Sequence, residues 1–231
     1  MQMRNAITTL LVASTLAACT TPQATDEPRQ QPSIQAPATV DASAPAVTQG
    51  IERYMEQRRR VEAVAFRLKK AALAECEAIG RTKPELGIIV WSLGNFPNPD
   101  DQAHLKSTYG LGNGVTVALA TDGAPARRAG LSSGDVITAV NGRPTSQGSG
   151  ATERFIGASN LAARDGAVTL ELASGRTLTV TPEQACDYPA LLVRSPDINA
   201  GADGISIAIT TGLFDITKSD DELALILGHE L

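Results

Sequence analysis

Apolar residues recur at helical spacing through the first patterned stretch of the chain, residues 51–80. Intervals of three and four place them on one side of a helix. They are Ile51, Tyr54, Val61, Ala65, Leu68, Ala72 and Cys76. Basic residues at 58–60 and 69–70 allow two interpretations, a surface for anionic lipid headgroups or a solvated charged face. Interleaved acidic residues favour the solvated face, so the pattern predicts one long amphipathic helix.

Short apolar runs separated by turn residues follow, and they predict strands. The predicted strands are residues 86–93, 114–120, 136–140, 167–173 and 176–181. The first ends at a turn over residues 97–101, and Asn141-Gly142 is a hairpin signal. Pro125 predicts the first turn of a short helix, and residues 151–163 predict a longer one.

The last patterned stretch combines a strand with a capped helix. Residues 205–210 alternate apolar with small polar side chains, which is typical of a strand. Ser219 and Glu222 have the spacing of a capping box, so a helix is predicted to begin there. Its buried face consists of Leu223, Ile226 and Leu227.

The chain begins with the pattern of a secretory signal. Arg4 is the only charge in the first eighteen residues, and the apolar run at 7–18 is too short to span a bilayer. Leu-Ala-Ala-Cys at residues 16–19 resembles a bacterial lipobox, which implies cleavage before Cys19 and its lipidation. The alternative is an ordinary signal peptide with an incidental cysteine. Thr20 after the cysteine, by resemblance to Gram-negative lipoproteins, implies the periplasmic face of the outer membrane.

Residues 19–50 are predicted to be a disordered linker. Prolines lie among Gln, Ala, Thr and Ser, and apolar periodicity is absent. Such a segment buries too little surface to offset its conformational entropy. The whole chain carries a formal net charge of −5, so nucleic-acid binding is not expected.

The middle of the chain resembles a PDZ domain. The resemblance rests on Ala-Pro-Ala-Arg-Arg-Ala-Gly-Leu at residues 124–131 and Gly-Asp-Val-Ile-Thr-Ala-Val-Asn-Gly at residues 134–142. It implies a module over residues 106–183 that takes an extended peptide as an added strand, usually by its C-terminal carboxylate. Backbone amides of a glycine-containing loop hold that carboxylate, and a plain glycine-rich turn is the alternative. The candidate loop consists of Tyr109, Gly110, Leu111 and Gly112.

His229 and Glu230 are the chemical feature of the last predicted helix. They match the start of His-Glu-x-x-His, in which two imidazoles on one helical face bind the same Zn²⁺. A chance pair is the alternative, and the capped apolar helix argues against it. His104 is the only other histidine, and we interpret it as solvated because it falls in a polar loop after a turn.

Residues 187–231 resemble the zinc metallopeptidase family of membrane-associated heat-shock proteases and CAAX-prenyl endopeptidases, in its bacterial lipoprotein branch. The resemblance rests on residues 199–204, the strand that follows them and the helix from Ser219. It implies that His229 is a zinc ligand and that Glu230 is the general base. It also implies that residues 205–210 are an edge on which substrate lies.

In that family a second histidine and a later glutamate complete the zinc site, and both would lie beyond Leu231. The chain is therefore expected to be a fragment that neither retains zinc nor cleaves peptides. The two remaining cysteines allow two interpretations. In an oxidising periplasm Cys76 and Cys186 pair and close the base of the inserted module, or they are separate buried thiols.

Together these features predict an α+β fold, in which a PDZ-like β-barrel module is inserted into the N-terminal part of a zincin-type metallopeptidase domain. A disordered tether precedes it. The predicted boundaries are a lipoprotein signal peptide at 1–18, the linker at 19–50, the first helix and strand of the peptidase domain at 51–105, the PDZ module at 106–183 and the start of the catalytic domain at 184–231.

Two function classes stay open. The first is a lipid-anchored, zinc-dependent endopeptidase of the bacterial cell envelope, whose PDZ module binds peptide C-termini. Its substrates would be unfolded or misassembled envelope proteins, which implies protein quality control. The second is a non-enzymatic PDZ lipoprotein that binds peptides. The Gly-x-Ser-x-Gly spacing occurs once, at residues 130–134. It leads into the predicted strand at 136–140 and not from a strand into a helix, so it is not a serine-hydrolase elbow, and other hydrolase chemistry does not compete.

Overall fold

The computed structural model describes residues 50–231, which form a mixed α and β architecture. The predicted signal peptide, the lipidation site Cys19 and the predicted linker up to residue 49 lie outside these residues. Across residues 50–231, no helix has both the length and the apolar character needed to cross a membrane.

The N-terminal apolar stripe forms two helices rather than one. Helix α1 spans Ile51–Ala71 and α2 spans Leu73–Ala78, with Ala72 between them outside helical geometry. The predicted solvated charged face is only partly correct. Arg59 and Glu56 form an exposed pair, whereas Arg58 and Glu62 form a largely buried pair and Arg60 pairs with Asp220 near the end of the chain. Strand β1 (Thr82–Glu85) follows α2.

The largest sheet has six strands in the order β2-β3-β4-β6-β7, with β5 paired to β4. Its strands are β2 (Ile88–Trp91), β3 (Val115–Ala120), β4 (Val136–Val140), β5 (Arg143–Pro144), β6 (Val168–Leu172) and β7 (Thr177–Val180). All its strand pairs are antiparallel. The sequence assigns the strand at 86–93 to the peptidase segment, but β2 pairs with β3 and is an edge strand of this sheet.

Turn and cap signals position the helices and hairpins around this sheet. Asn141 and Gly142 both have positive φ, at 48° and 73°, and form the hairpin between β4 and β5. The short helix α4 (Pro125–Arg128) begins at its proline, and α5 (Ala151–Arg164) packs its buried side against the sheet. The core under α5 includes Val117, Ile137, Phe155, Val168 and Leu170.

Residues 99–109 form a helix that the sequence pattern did not predict. Helix α3 spans Pro99–Tyr109, where we expected a turn over residues 97–101 and a polar loop around His104. Its ends carry clear signals, since Asn98 accepts a hydrogen bond from the Asp100 N–H at 2.8 Å and Gly110 is left-handed at φ 62°. The helix buries only Asp101 and Leu105, so it has no apolar stripe that periodicity would detect.

The six-stranded region is joined to the rest of the chain through one two-stranded ribbon. Strand β1 pairs antiparallel with β8 (Glu183–Cys186), so that Glu85 lies opposite Glu183. A disulfide joins Cys76 in α2 to Cys186 in β8, with an Sγ–Sγ distance of 2.03 Å. The PDZ-like module is therefore an insertion between α2 and the C-terminal elements.

The C-terminal elements build a second core together with α1. They are β9 (Ala190–Val193), β10 (Ala200–Ala202), β11 (Ile207–Thr210), α6 (Thr211–Ile216) and α7 (Asp220–Glu230). Val61 and Val64 of α1 pack with Ile209, Leu223 and Leu227 in this core. The helix stripe predicted from the sequence thus faces the C-terminal segment.

The predicted substrate edge at residues 205–210 is wrong, because β11 is the central strand of its sheet. It pairs antiparallel with β10 and parallel with β9, so both of its edges are occupied. Asp203 stabilises the turn into β11 by accepting hydrogen bonds from the N–H groups of Ser206 at 2.6 Å and Ile205 at 2.8 Å. These bonds lower the pKa of the Asp203 carboxyl.

Candidate functional site

Among residues 50–231, no strand pairs with the second edge of β2, the first strand of the large sheet. The Thr121 N–H donates to the Gly87 carbonyl at 2.9 Å, and Ile88 lies opposite Ala120. This register makes Ile88 and Ala120 a non-hydrogen-bonded pair, so the N–H and C=O of Ile88 point away from β3. An edge with free donors and acceptors is a template for an added strand.

The turn before β2 presents further backbone donors. The Leu86 carbonyl accepts from the Ala126 N–H at 3.0 Å, and the Gly87 carbonyl is occupied by Thr121. Within residues 50–231, the N–H groups of Leu86 and Gly87 donate to no protein acceptor. Gly87 has φ 73°, and an added Cβ would lie 2.1 Å from the Ala124 Cβ, so only glycine fits this turn.

Helix α5 lies beside this edge. Near its start, the Thr152 hydroxyl donates to Asn95 Oδ1 at 2.7 Å, close after the end of β2. The helix also contacts β1, which precedes Leu86, so it runs past β2 in the opposite direction. The arrangement brings a strand edge, a turn with free N–H groups and a helix flank together, which is what β-strand addition requires.

The predicted carboxylate loop lies elsewhere. Tyr109 ends α3 and Gly110 caps it, while Leu111 is buried beside Ile51 and Leu105. The Gly112 carbonyl accepts from the Leu93 N–H at 2.9 Å, past the far end of β2 from Gly87. Sequence reasoning missed Leu86 and Gly87, although a glycine immediately before the apolar run of β2 was a usable signal.

His229 and Glu230 lie in the last turn of α7. Ser219 caps this helix by accepting a hydrogen bond from the Glu222 N–H at 3.2 Å. Leu223 and Leu227 are fully buried and fix the helix against α1. His229 is exposed and Glu230 is half-buried, so both side chains are accessible.

The described residues do not fit a complete zinc site. Across residues 50–231, no group of three His, Cys, Asp or Glu side chains is placed to hold a metal ion. His104, the other histidine, lies on α3 with Thr108 and Tyr109 as its neighbours. A catalytic zinc takes three protein ligands, whereas His229 supplies one imidazole at the predicted position.

A buried ion pair connects α1 to the last residue of β1, directly before the turn that leads into β2. Lys69 Nζ lies 2.7 Å from both carboxylate oxygens of Glu85, and the Lys69 side chain is only 4% exposed. Glu62 lies nearby and pairs with Arg58 at 2.5 Å. Burial raises the pKa of the Glu62 carboxyl, although the charges of Arg58 and Lys69 oppose this.

A second charged cluster surrounds Glu183 where β8 leaves the inserted module. Its carboxylate pairs with Lys70 at 3.3 Å and also with Arg128 of α4. Partial burial raises the pKa of Glu183, but hydrogen bonds and charge from Lys70 and Arg128 outweigh it, so the net shift is downward. The cluster links α1, α4 and the ribbon.

Two protein families match successive parts of the chain. The PDZ domain family matches residues 116–158, and peptidase family M48 matches residues 166–231. The second match begins inside the large sheet, since β6 and β7 pair with β4 and with each other. We assign these two strands to the PDZ fold, because their hydrogen bonds and their core lie there.

Solved structures also match. The HtrA3 PDZ domain bound to a phage-derived ligand (FGRWV) is 23% identical with a TM-score of 0.35, over 45% of this chain and 89% of that one. HtrA-type protease AlgW with decapeptide is 24% identical with a TM-score of 0.31, over 52% of this chain and 35% of that one. No curated protein matches. From the two family matches, the chain carries a PDZ domain followed by a domain of peptidase family M48, the composition of a protease with a peptide-binding module.

Proposed function

We propose that this chain captures the C-terminal end of extended polypeptides on the unpaired edge of β2 for a zinc-dependent endopeptidase of family M48. The observation that carries the proposal is the junction of that edge with the Leu86-Gly87 turn. A peptide added antiparallel to β2, with its C-terminus at this turn, would pair with the free N–H and C=O of Ile88.

The free N–H groups of Leu86 and Gly87 are the proposed receptors for the peptide carboxylate. Successive backbone N–H groups at a glycine turn form a concave anion site. Glu85 directly precedes this turn, and an unpaired carboxylate there would repel the ligand. Lys69 neutralises it at 2.7 Å. We therefore place the carboxylate site at Leu86 and Gly87 rather than at Tyr109 to Gly112.

For the hydrolytic part, His229 is the proposed zinc ligand and Glu230 the proposed catalytic carboxylate. Family M48 supports this assignment, and the exposed ends of both side chains are compatible with it. Residues 50–231 contain no three-ligand group. We therefore propose that the chain by itself neither retains zinc nor hydrolyses peptides.

The proposed compartment is the bacterial periplasm, with Cys19 lipid-anchored in the outer membrane and misassembled envelope proteins as substrates. The lipobox-like sequence at residues 16–19 supports the anchor. The disulfide between Cys76 and Cys186 is compatible with an oxidising compartment. Metabolic labelling with palmitate, lost in Cys19→Ala, tests the anchor. Unlabelled wild-type protein would contradict it.

The peptide site is tested by titrating the purified chain with fluorescent peptides that end in a free carboxylate or in an amide. We expect the free-carboxylate series to bind, and amidation or Gly87→Ala to weaken binding at least about tenfold. Gly175→Ala is the matched control, because Gly175 also has positive φ, at 82°, but faces open space. Equal affinity for both peptide forms would refute the carboxylate site without depending on whether Gly87→Ala folds.

The metal proposal is tested by measuring zinc in the dialysed chain and its cleavage of unfolded casein. We expect far less than one zinc per chain and no cleavage. One firmly bound zinc that His229→Ala removes would contradict this, and cleavage would contradict it independently. Peptide binding with neither zinc nor cleavage is also what the non-enzymatic alternative predicts for this chain.

A further inference from the structure

A cavity of about 480 Å³ lies on the face of the large sheet opposite its core. Thr116 and Ala118 of β3 line it, and they alternate with the core residues Val115 and Val117. The opposite wall comes from the first turns of α1 and from α3. The cavity therefore lies between the PDZ sheet and the helix that packs on the peptidase segment, away from the unpaired edge of β2.

The walls of this cavity are mainly apolar and aromatic. Its apolar residues include Ile51, Met55, Trp91, Leu105 and Leu111. Thr116 also lines it, and the buried Thr116 hydroxyl oxygen has no hydrogen-bond partner among residues 50–231. A cavity of several hundred Å³ with apolar walls and a few polar groups is typical of a small-molecule site.

The rim of the cavity carries an unbalanced negative charge. Glu52, Glu56 and Arg59 of α1 lie there, and Arg59 pairs with Glu56 at 3.6 Å. Within residues 50–231, Glu52 has no cationic partner and accepts only the Tyr109 hydroxyl, at 3.2 Å. Trp91 and Tyr109 also line the cavity, and aromatic faces attract cations.

From this arrangement we propose that the cavity is a second ligand site, which takes a small amphipathic cation. Its apolar body lies between α1 and the outer face of β2 and β3, and its ammonium group lies at Glu52 and the Tyr109 ring. A polar atom in the ligand body would supply the partner that the Thr116 hydroxyl lacks. The proposal is separate from peptide binding, because Leu86, Gly87 and Ile88 do not line the cavity, although Trp91 at the other end of β2 does.

Trp91 gives a direct readout, because it is the only tryptophan of the chain and it lines the cavity. The test is a fluorescence titration of the whole purified chain with n-octylamine, 1-octanol and octanoate, three probes with similar straight alkyl chains and different head groups. We expect a saturable change with octylamine and at least about tenfold weaker binding of octanoate, because the rim carboxylate attracts one and repels the other.

Two variants separate the contributions of charge and space. Glu52→Gln is expected to weaken the binding of octylamine several-fold and to leave the binding of octanol unchanged. Glu77→Gln is an exposed control on α2 and is expected to change the affinity for neither probe. Ala118→Phe fills the cavity and is expected to abolish binding of all three probes. Its folding is checked by circular dichroism and by retained peptide affinity.

Either of two results overturns the proposal. Absence of saturable binding by every probe means that the cavity holds only water. Equal affinity for octylamine and octanoate, with no effect of Glu52→Gln, means that the rim charge selects nothing. Calorimetry on the wild-type chain repeats the comparison without relying on Trp91.

Discussion

The two halves of the described chain bury their apolar residues to different extents. The PDZ module has a closed core between α5 and the six-stranded sheet, with Val168, Leu170 and Val180 fully buried. The C-terminal segment packs one side against α1 and leaves other large apolar residues exposed by 55–76%. These are Ile198, Ile205, Ile216 and Leu225.

The two halves are therefore stabilised by different contacts. The PDZ module contains the strands that cover one another, so its stability is largely its own. The three-stranded sheet of the C-terminal segment relies on α1, which precedes the module in sequence. Loss of a connection between the halves should therefore lower the stability of the C-terminal segment more than that of the PDZ module.

The largest effect is expected from the disulfide between Cys76 and Cys186. It closes a loop of 110 residues, for which chain entropy alone gives about 4–5 kcal/mol. Cys76→Ser/Cys186→Ser should lower the free energy of unfolding of the C-terminal segment by up to this amount, while the PDZ module stays folded. Amide hydrogen exchange measures the protection of the C-terminal segment and of the PDZ module separately. Equal loss of protection in both halves would contradict their independence.

Removing the buried ion pair should come next. Lys69→Met leaves the Glu85 carboxylate without its partner in a largely buried site, which costs about 3–5 kcal/mol. Chemical denaturation measures the loss. Lys69→Met/Glu85→Leu is the matched control, and we expect it to recover most of the stability because no unpaired charge remains. A double variant as unstable as Lys69→Met alone would show that packing, not charge, dominates.

A substitution that leaves a cavity in one of the two cores should destabilise mainly the half of the molecule that contains it. Leu170→Ala and Leu223→Ala each remove a fully buried side chain, at about 2–5 kcal/mol. Leu170→Ala should weaken peptide binding and lower the protection of PDZ-module amides from hydrogen exchange. Leu223→Ala should lower that protection in α1 and α7. Leu161→Ala and Leu225→Ala are exposed controls, with effects within about 0.5 kcal/mol. Loss of peptide binding in Leu223→Ala would contradict the independence of the two cores.

The smallest effect is expected at Glu183, and it depends on pH. The folded-state pKa of this carboxyl lies below its ordinary value of 4.5, so its charge stabilises the fold above that pH. The contribution disappears as pH falls through the folded-state pKa. Because the side chain is 33% exposed, solvent screening limits it to no more than about 1 kcal/mol. Glu183→Gln should lower stability at pH 7 in thermal unfolding, and the difference from wild type should shrink as the pH falls through the folded-state pKa.

Sequence patterning identified the elements that carry a strong local signal. The strand at 136–140 and the Asn141-Gly142 hairpin are confirmed, because apolar alternation and positive φ leave few alternatives. The capped helix from Ser219 and both family resemblances are likewise confirmed. In contrast, α3 was missed because its interior has no apolar stripe, although its caps were visible.

What the sequence did not show is which strands become neighbours. The strand predicted at residues 86–93 is confirmed only over residues 88–91. The pairing of these residues with β3 places them in the PDZ sheet, at its edge. For the same reason the sequence analysis considered the glycine run at 110–112 as a carboxylate loop and did not consider Gly87. Register and edge position depend on contacts between distant residues, which a local pattern does not contain.

The ribbon of β1 and β8 also has a practical consequence for engineering. Because Glu85 and Glu183 face each other across it, everything between them begins and ends at nearly the same point. A two-residue hairpin turn spans such a gap. The peptidase segment can therefore be prepared with that whole stretch excised, and the excised stretch can be transplanted as a cassette into another host loop.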